Sequence, residues 1–182
     1  MKRAFRVAAV LLLLVGAASA AATTQKWTPG FDNFNEPLNY KTSHVSWSVN
    51  STTSKLTVTF ILMGATPSKL YQVDVHIFCD TFPAAFGQFP AAGTCQPITR
   101  QGVTKSAVAV EFGVVTTDIH GNGSFRVVVG PIASGSYDLE FVARNGAGCN
   151  LTGGGGTNPD TCDGDFQSPG PTFGDATTIT IP

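Results

Sequence analysis

The sequence has little charge. Only 13% of its 182 residues are Asp, Glu, Lys or Arg, and the net charge is −1. Charge so sparse and so evenly balanced leaves no electrostatic footprint for nucleic acid or for a membrane surface, and neither partner is expected. Histidine is scarce as well: three residues, His44, His76 and His120, offer few imidazoles for a metal centre. C-x-x-C pairs and a His-x-x-x-His spacing are missing, which argues against a four-ligand zinc site. A G-x-S-x-G elbow is missing too, and with it the α/β-hydrolase nucleophile. Beyond residue 20 no long segment repeats apolar residues at helical spacing, so a helical bundle is not expected.

The N-terminus carries the clearest positive signal. Lys2, Arg3 and Arg6 precede an apolar run from Val7 to Val15, and Ala18-Ser19-Ala20 places small residues where a signal peptidase reads. This order predicts a secretory signal peptide over residues 1–20, cut after Ala20. The apolar run is shorter than the roughly 20 residues a spanning helix needs, so no membrane insertion is expected after cleavage. No Cys follows the cleavage site and no apolar tail follows "ATTITIP", so a lipid anchor is not expected either. The product is read as secreted, extracellular or periplasmic. About 160 residues remain, the size of one domain, divided into a leader (21–43) and a β-sandwich (44–182). Trp27, Phe31 and Phe34 of the leader are expected to pack on the sandwich.

The rest of the chain alternates with a period of two. Val45, Trp47 and Val49 share one face of "HVSWSVN"; Leu56, Val58, Phe60 and Leu62 share one of "KLTVTFILM". In "LYQVDVHIFC", Tyr71, Val73, Val75, Ile77 and Cys79 point one way, and Gln72, Asp74 and His76 the other. "VAVEFGVV" groups Val108, Val110, Phe112 and Val114, and "SFRVVV" groups Phe125, Val127 and Val129. "SYDLEFVA" sets Tyr137, Leu139 and Phe141 against Asp138 and Glu140, and "TTITI" closes with Ile179 and Ile181. Such alternation marks half-buried strands. About seven of them, separated by turn signals, predict an all-β fold: a single antiparallel immunoglobulin-like β-sandwich.

Two long connections interrupt this rhythm, 80–106 and 145–175, and long loops in a compact domain are commonly functional. The four cysteines flank or lie in them: Cys79, Cys95, Cys149 and Cys162. An even count in an exported chain predicts disulfides, with three pairings open. Cys79–Cys95 and Cys149–Cys162 are favoured because each brackets one irregular loop, and closing a loop of about 15 residues contributes roughly 3 kcal/mol. Phe82, Phe86 and Phe89 recur inside the first loop. They form either a ligand-binding surface for a protein or carbohydrate, or a small satellite core at one end of the sandwich. Asp160, Asp163 and Asp165 in "PDTCDGDF" are either oxygen donors for calcium or turn formers on a solvated loop. Apart from that calcium, no cofactor is expected.

"TTDIHGNG" reads as a hairpin turn. Asp118 caps its own backbone two residues on, and Gly121, Asn122 and Gly123 supply positive φ. The alternative, a calcium loop through Asp118, lacks the dense D-x-[DN]-x-[DN]-G pattern. Asp74 and His76 are read as a solvent-facing polar pair rather than a lone metal site. Sequons occur at Asn50, Asn122 and Asn150.

"TTDIHGNGSFRVVVGPIASGSYDLEFVA" resembles the T-D-x-x-G-x-[small]-F … G-x-Y-x-[apolar] pattern in the last strands of bacterial secreted immunoglobulin-like and collagen-adhesin B-type domains, and "SKLYQVDVHI" resembles a strand that precedes it. The resemblance covers about a third of the chain, and it implies a binding, stalk or accessory module. The isopeptide crosslink of such adhesins needs a buried Lys; Lys41 and Lys55 are the nearest options and neither sits on an apolar face. "VDVHIF" is similar to the H-x-H strand of copper-zinc superoxide dismutases, but Asp74 replaces the first His and three histidines are too few for that metal pair. No catalytic residue is assigned, and an enzyme is not expected. The expected function is that of a secreted binding or adhesion-type module. The rivals are a self-associating surface protein that uses an open sheet edge and a metal-dependent secreted enzyme.

Overall fold

The computed structural model describes residues 22–30, 36–78, 96–100, 103–132, 134–145, 164–168 and 177–182. These contain eleven strands and no helix. They are β1 (Thr23–Lys26), β2 (Thr28–Pro29), β3 (His44–Asn50), β4 (Lys55–Leu62), β5 (Leu70–Phe78), β6 (Gln96–Arg100), β7 (Val103–Thr116), β8 (Gly123–Val129), β9 (Gly135–Asn145), β10 (Gly164–Ser168) and β11 (Thr177–Ile181). One antiparallel sheet runs β1-β3-β4-β8. The other runs β2-β10-β9-β5-β7-β6, with β11 also on β9.

All seven alternating segments are strands: β3, β4, β5, β7, β8, β9 and β11. Four more exceed the expected number. Residues 21–43, expected as a leader, supply β1, β2 and the buried Trp27, whose indole N–H donates to the Ile61 carbonyl at 3.0 Å. The two long connections contain β6 and the start of β7, and β10. Each added strand is two to five residues long, too short to show alternation against Gly- and Pro-rich surroundings.

The inward faces meet in one core. Trp47 of β3 and Phe60 of β4 lie 5.1 Å and 6.2 Å from Phe141 of β9, between ring centroids, and Trp27 stacks on Phe60 at 6.3 Å. Tyr71 lies 5.7 Å from Phe166 of β10, a ring that no alternation announced and that is fully buried. Burying one such aromatic is worth on the order of 2–3 kcal/mol.

A bulge resets the phase of β7. The β5–β7 register shifts between Val73 and Asp74, so Val73 pairs with Gly113 while Asp74 pairs with Glu111. The core-facing partners become Gly113 and Val115, with Val115 fully buried, rather than Phe112 and Val114 as uninterrupted alternation predicted. Gly113 is required there. A Cβ at that position would stand 2.6 Å from Phe125 Cζ, inside contact distance.

Candidate functional site

At one end of the sandwich three connections lock together: 36–43, the β4–β5 turn and the β7–β8 turn. Asp118 Oδ1 accepts the backbone N–H groups of His120 (2.8 Å) and Asn122 (2.9 Å). Those two donors hold the Asp118 carboxyl below its ordinary range. The turn is present, but it is not the expected hairpin: β7 and β8 lie in different sheets, and the turn carries the chain from one to the other. Only Gly121 in the triplet takes a positive φ, +76°. Asn122 instead accepts the Gly64 N–H on its side-chain oxygen at 3.1 Å. Gly121 carbonyl accepts from Ala65 N–H at 2.9 Å, and a Cβ on Gly121 would lie 2.0 Å from the Ala65 carbonyl oxygen.

Beside this turn sits a polar cluster that alternation did not reveal. Glu36 accepts from Thr66 Oγ1 (2.7 Å) and the Tyr71 hydroxyl (2.8 Å), and pairs with Lys69. Burial pushes the Glu36 carboxyl up, but the Lys69, Thr66 and Tyr71 donors outweigh it and the net shift is downward. Burial, reinforced by Glu36, holds the Tyr71 hydroxyl protonated well above the tyrosine range. Thr117 Oγ1 donates to the Thr66 carbonyl at 2.7 Å and accepts Lys69 N–H at 2.9 Å. Every one of these groups is occupied in tying loops to strands.

Part of the outward face of the larger sheet is covered. Gln72, Asp74 and Glu140 are buried, and Asp74 Oδ2 accepts from Arg144 Nη2 and Nε at 3.3 and 3.4 Å. Asp74 is thus an internal ion-pair partner of Arg144. The expected solvent-facing pair with His76 is corrected on that point: Asp74 has no exposure at all.

The outward face of the smaller sheet is polar and open. The strand register lays it out in rows across β1, β3, β4 and β8. One row holds Lys26, His44, Ile61 and Ser124; the next holds Thr24, Ser46, Thr59 and Arg126. Below these come Ser48, Thr57 and Val128, then Asn50 and Lys55. None of these residues is buried, and Val128 is 54% exposed. The four strands contain no Asp or Glu, whereas β5, β7, β9 and β10 contain Asp74, Glu111, Asp138, Glu140 and Asp165. The sequence held a signal for this face: residues 37–73 include no acidic residue.

Several expected sites lie outside the described residues: Cys79, Cys95, Cys149 and Cys162, the ring trio Phe82, Phe86 and Phe89, and Asp160 and Asp163, as do Phe31, Phe34, Asn150 and residues 1–20. Asp165 lies in strand β10, between Gly164 and the buried Phe166, rather than on a loop. Among the described residues no group of three or more His, Cys, Asp or Glu converges on a point, and no helix is long and apolar enough to cross a membrane. Lys41 and Lys55 are both exposed.

No known protein family matches the sequence, and no curated protein matches it. A solved structure concerned with pH-induced modulation of Streptococcus parasanguinis adhesion by Fap1 fimbriae aligns loosely with this chain. The alignment covers 88% of this chain and 96% of that one, with 10% identity and a TM-score of 0.33. Likeness at that level carries no functional argument.

Proposed function

We propose that the chain is an exported, non-catalytic, immunoglobulin-like module that works by binding, in the manner of an adhesion or accessory domain. The observation that supports this reading is the open face of the β1-β3-β4-β8 sheet: broad, solvent-facing, and free of the carboxylates that the other sheet carries. Three carboxylates elsewhere among the described residues are engaged in internal contacts: Asp118 in its turn, Glu36 with Lys69, and Asp74 with Arg144. The basic and apolar order of residues 1–15 supports export.

The test is expression of the full chain in a secreting host, followed by a binding panel of extracellular glycans and matrix proteins on the recovered product. Cleavage after Ala20 and saturable binding without turnover are expected. Retention of an uncleaved chain in the cell, or metal-dependent turnover of any panel member, would refute the reading. The self-associating alternative rests on Val128, exposed on the edge strand β8. A concentration-dependent rise in mass abolished by Val128→Lys would favour it.

A further inference from the structure

The exposed face of the smaller sheet has a sign. Lys26, Lys55 and Arg126 stand on it with His44, Lys26 Nζ donating to the Lys41 carbonyl at 2.6 Å, and the four strands contribute no carboxylate to it. The remainder of the molecule has the opposite sign. Without the three cations of residues 1–20, eight basic residues stand against twelve acidic ones, all twelve of them outside these four strands. A polyanion approaching the protein is therefore repelled by most of the surface and drawn to this face.

Spacing narrows the ligand. Adjacent strands lie about 4.8 Å apart and successive outward residues about 7 Å apart. Lys55 and Arg126 are then separated by about 14 Å, and Lys26 and Arg126 by about 16 Å, at the backbone. Positions this far apart cannot all close on one phosphate or sulfate, so the fit of the three together is to charges repeated along a chain. Between the cations lie the hydroxyls of Ser46, Ser48, Thr57 and Thr59, each able to donate and accept a hydrogen bond. Sugar hydroxyls need that pairing. Single-stranded nucleic acid would need an aromatic platform for its bases, and the face carries no Phe, Tyr or Trp. The same lack removes stacking as a source of affinity for a neutral glycan and leaves charge to supply it. A lipid surface calls for a cluster of about four to eight cations, and this face has three.

We infer that the outward face of the β1-β3-β4-β8 sheet binds an acidic polysaccharide, with Lys26, Lys55 and Arg126 pairing to its anionic groups and the Ser/Thr rows hydrogen-bonding its hydroxyls. The inference rests on the binding-module reading and gives it a ligand class and a surface.

The test uses the secreted full-length product with two acidic glycans, polygalacturonate and a sulfated galactan, against neutral dextran and phosphatidylglycerol vesicles. Binding to at least one acidic glycan is expected, weakened by salt, with none to dextran. The triple variant Lys26→Ser, Lys55→Ser, Arg126→Ser should weaken it at least about tenfold, and Thr57→Glu alone should weaken it measurably. All four side chains point outward, so an unchanged melting temperature certifies the fold. Failure to bind either acidic glycan overturns the inference, as does equal binding by the triple variant, equal binding to dextran, or binding to vesicles alone. Binding to any panel member that survives the triple variant and is lost in Phe82→Ser, Phe86→Ser, Phe89→Ser would overturn this surface while leaving the binding-module reading standing. Turnover in place of binding would overturn both.

Discussion

The two sheets were written in the same sequence idiom and ended in different environments. β3 and β4 alternate apolar residues with Ser, Thr and Asn; β5 and β9 alternate them with Gln, Asp, Glu and Arg. On the first pair the polar set meets water. On the second much of it is buried, Gln72 and Asp74 at 0% exposure and Glu140 at 3%, while Asp138 near the β11 end stays half-buried. Alternation reports that a strand has two kinds of face. It does not report whether the polar face is covered. The chemical hint lies in the residue types, because charges of both signs on neighbouring strands can neutralise one another, as Asp74 and Arg144 do diagonally across β5 and β9, whereas hydroxyls and lone cations cannot.

The sharpest way to break this contrast is Asp74→Ala. It strands the buried Arg144 guanidinium and should cost about 3–5 kcal/mol, read as a fall in the denaturant midpoint. Replacing both partners, Asp74→Val with Arg144→Met, should cost clearly less, because no charge is left buried without its partner. Equal losses in the single and double variants would show that packing, not charge, makes the outward face of the larger sheet intolerant.

Gly121→Ala probes the seam where β7 of one sheet passes into β8 of the other. The new Cβ would meet the Ala65 carbonyl oxygen at 2.0 Å on a backbone with φ of +76°. A loss of about 3 kcal/mol is expected. A silent Gly121→Ala would mean that the seam yields, and that the two sheets are less tightly indexed to one another than their turns imply.

Much of this arrangement was legible in the sequence. The strand pattern around Trp47, Phe60, Tyr71 and Phe141 predicted the core, and "TTDIHGNG" predicted a turn. The misses have physical causes. β1, β2, β6 and β10 are two to five residues long, so a period of two has nothing to repeat over. The bulge at Glu111–Gly113 swaps the faces of β7 without any break in composition. Glu36 drew no reading from the sequence because its partners Thr66, Lys69 and Tyr71 are about 30 residues away and meet it only through the fold. The open face was hidden for the opposite reason: its signal is a missing residue type, spread over four strands.

Acid should act on the Glu36 cluster rather than on the open face. The Glu36 carboxyl sits below its ordinary 4.5 when folded. The stability it contributes is therefore complete above that value and is lost as pH falls through the lower folded value. Glu36→Gln removes that dependence. The variant should be less stable than the parent at neutral pH and should show a shallower loss of melting temperature below pH 4.5. Parallel curves would assign the acid sensitivity to other carboxylates.

The smallest effect on stability belongs to the open face. Arg126 is exposed on β8 opposite Thr59, and its outward row makes no ion pair among the described residues. Arg126→Ser should shift stability by no more than about 0.5 kcal/mol, an order of magnitude less than Asp74→Ala on the other sheet. A surface cation that contributes nothing measurable to folding, on a face that no carboxylate shares, is free to be used on something outside the molecule. A loss of stability well beyond that bound would give Arg126 an internal role and would remove it from the set of groups available to a ligand.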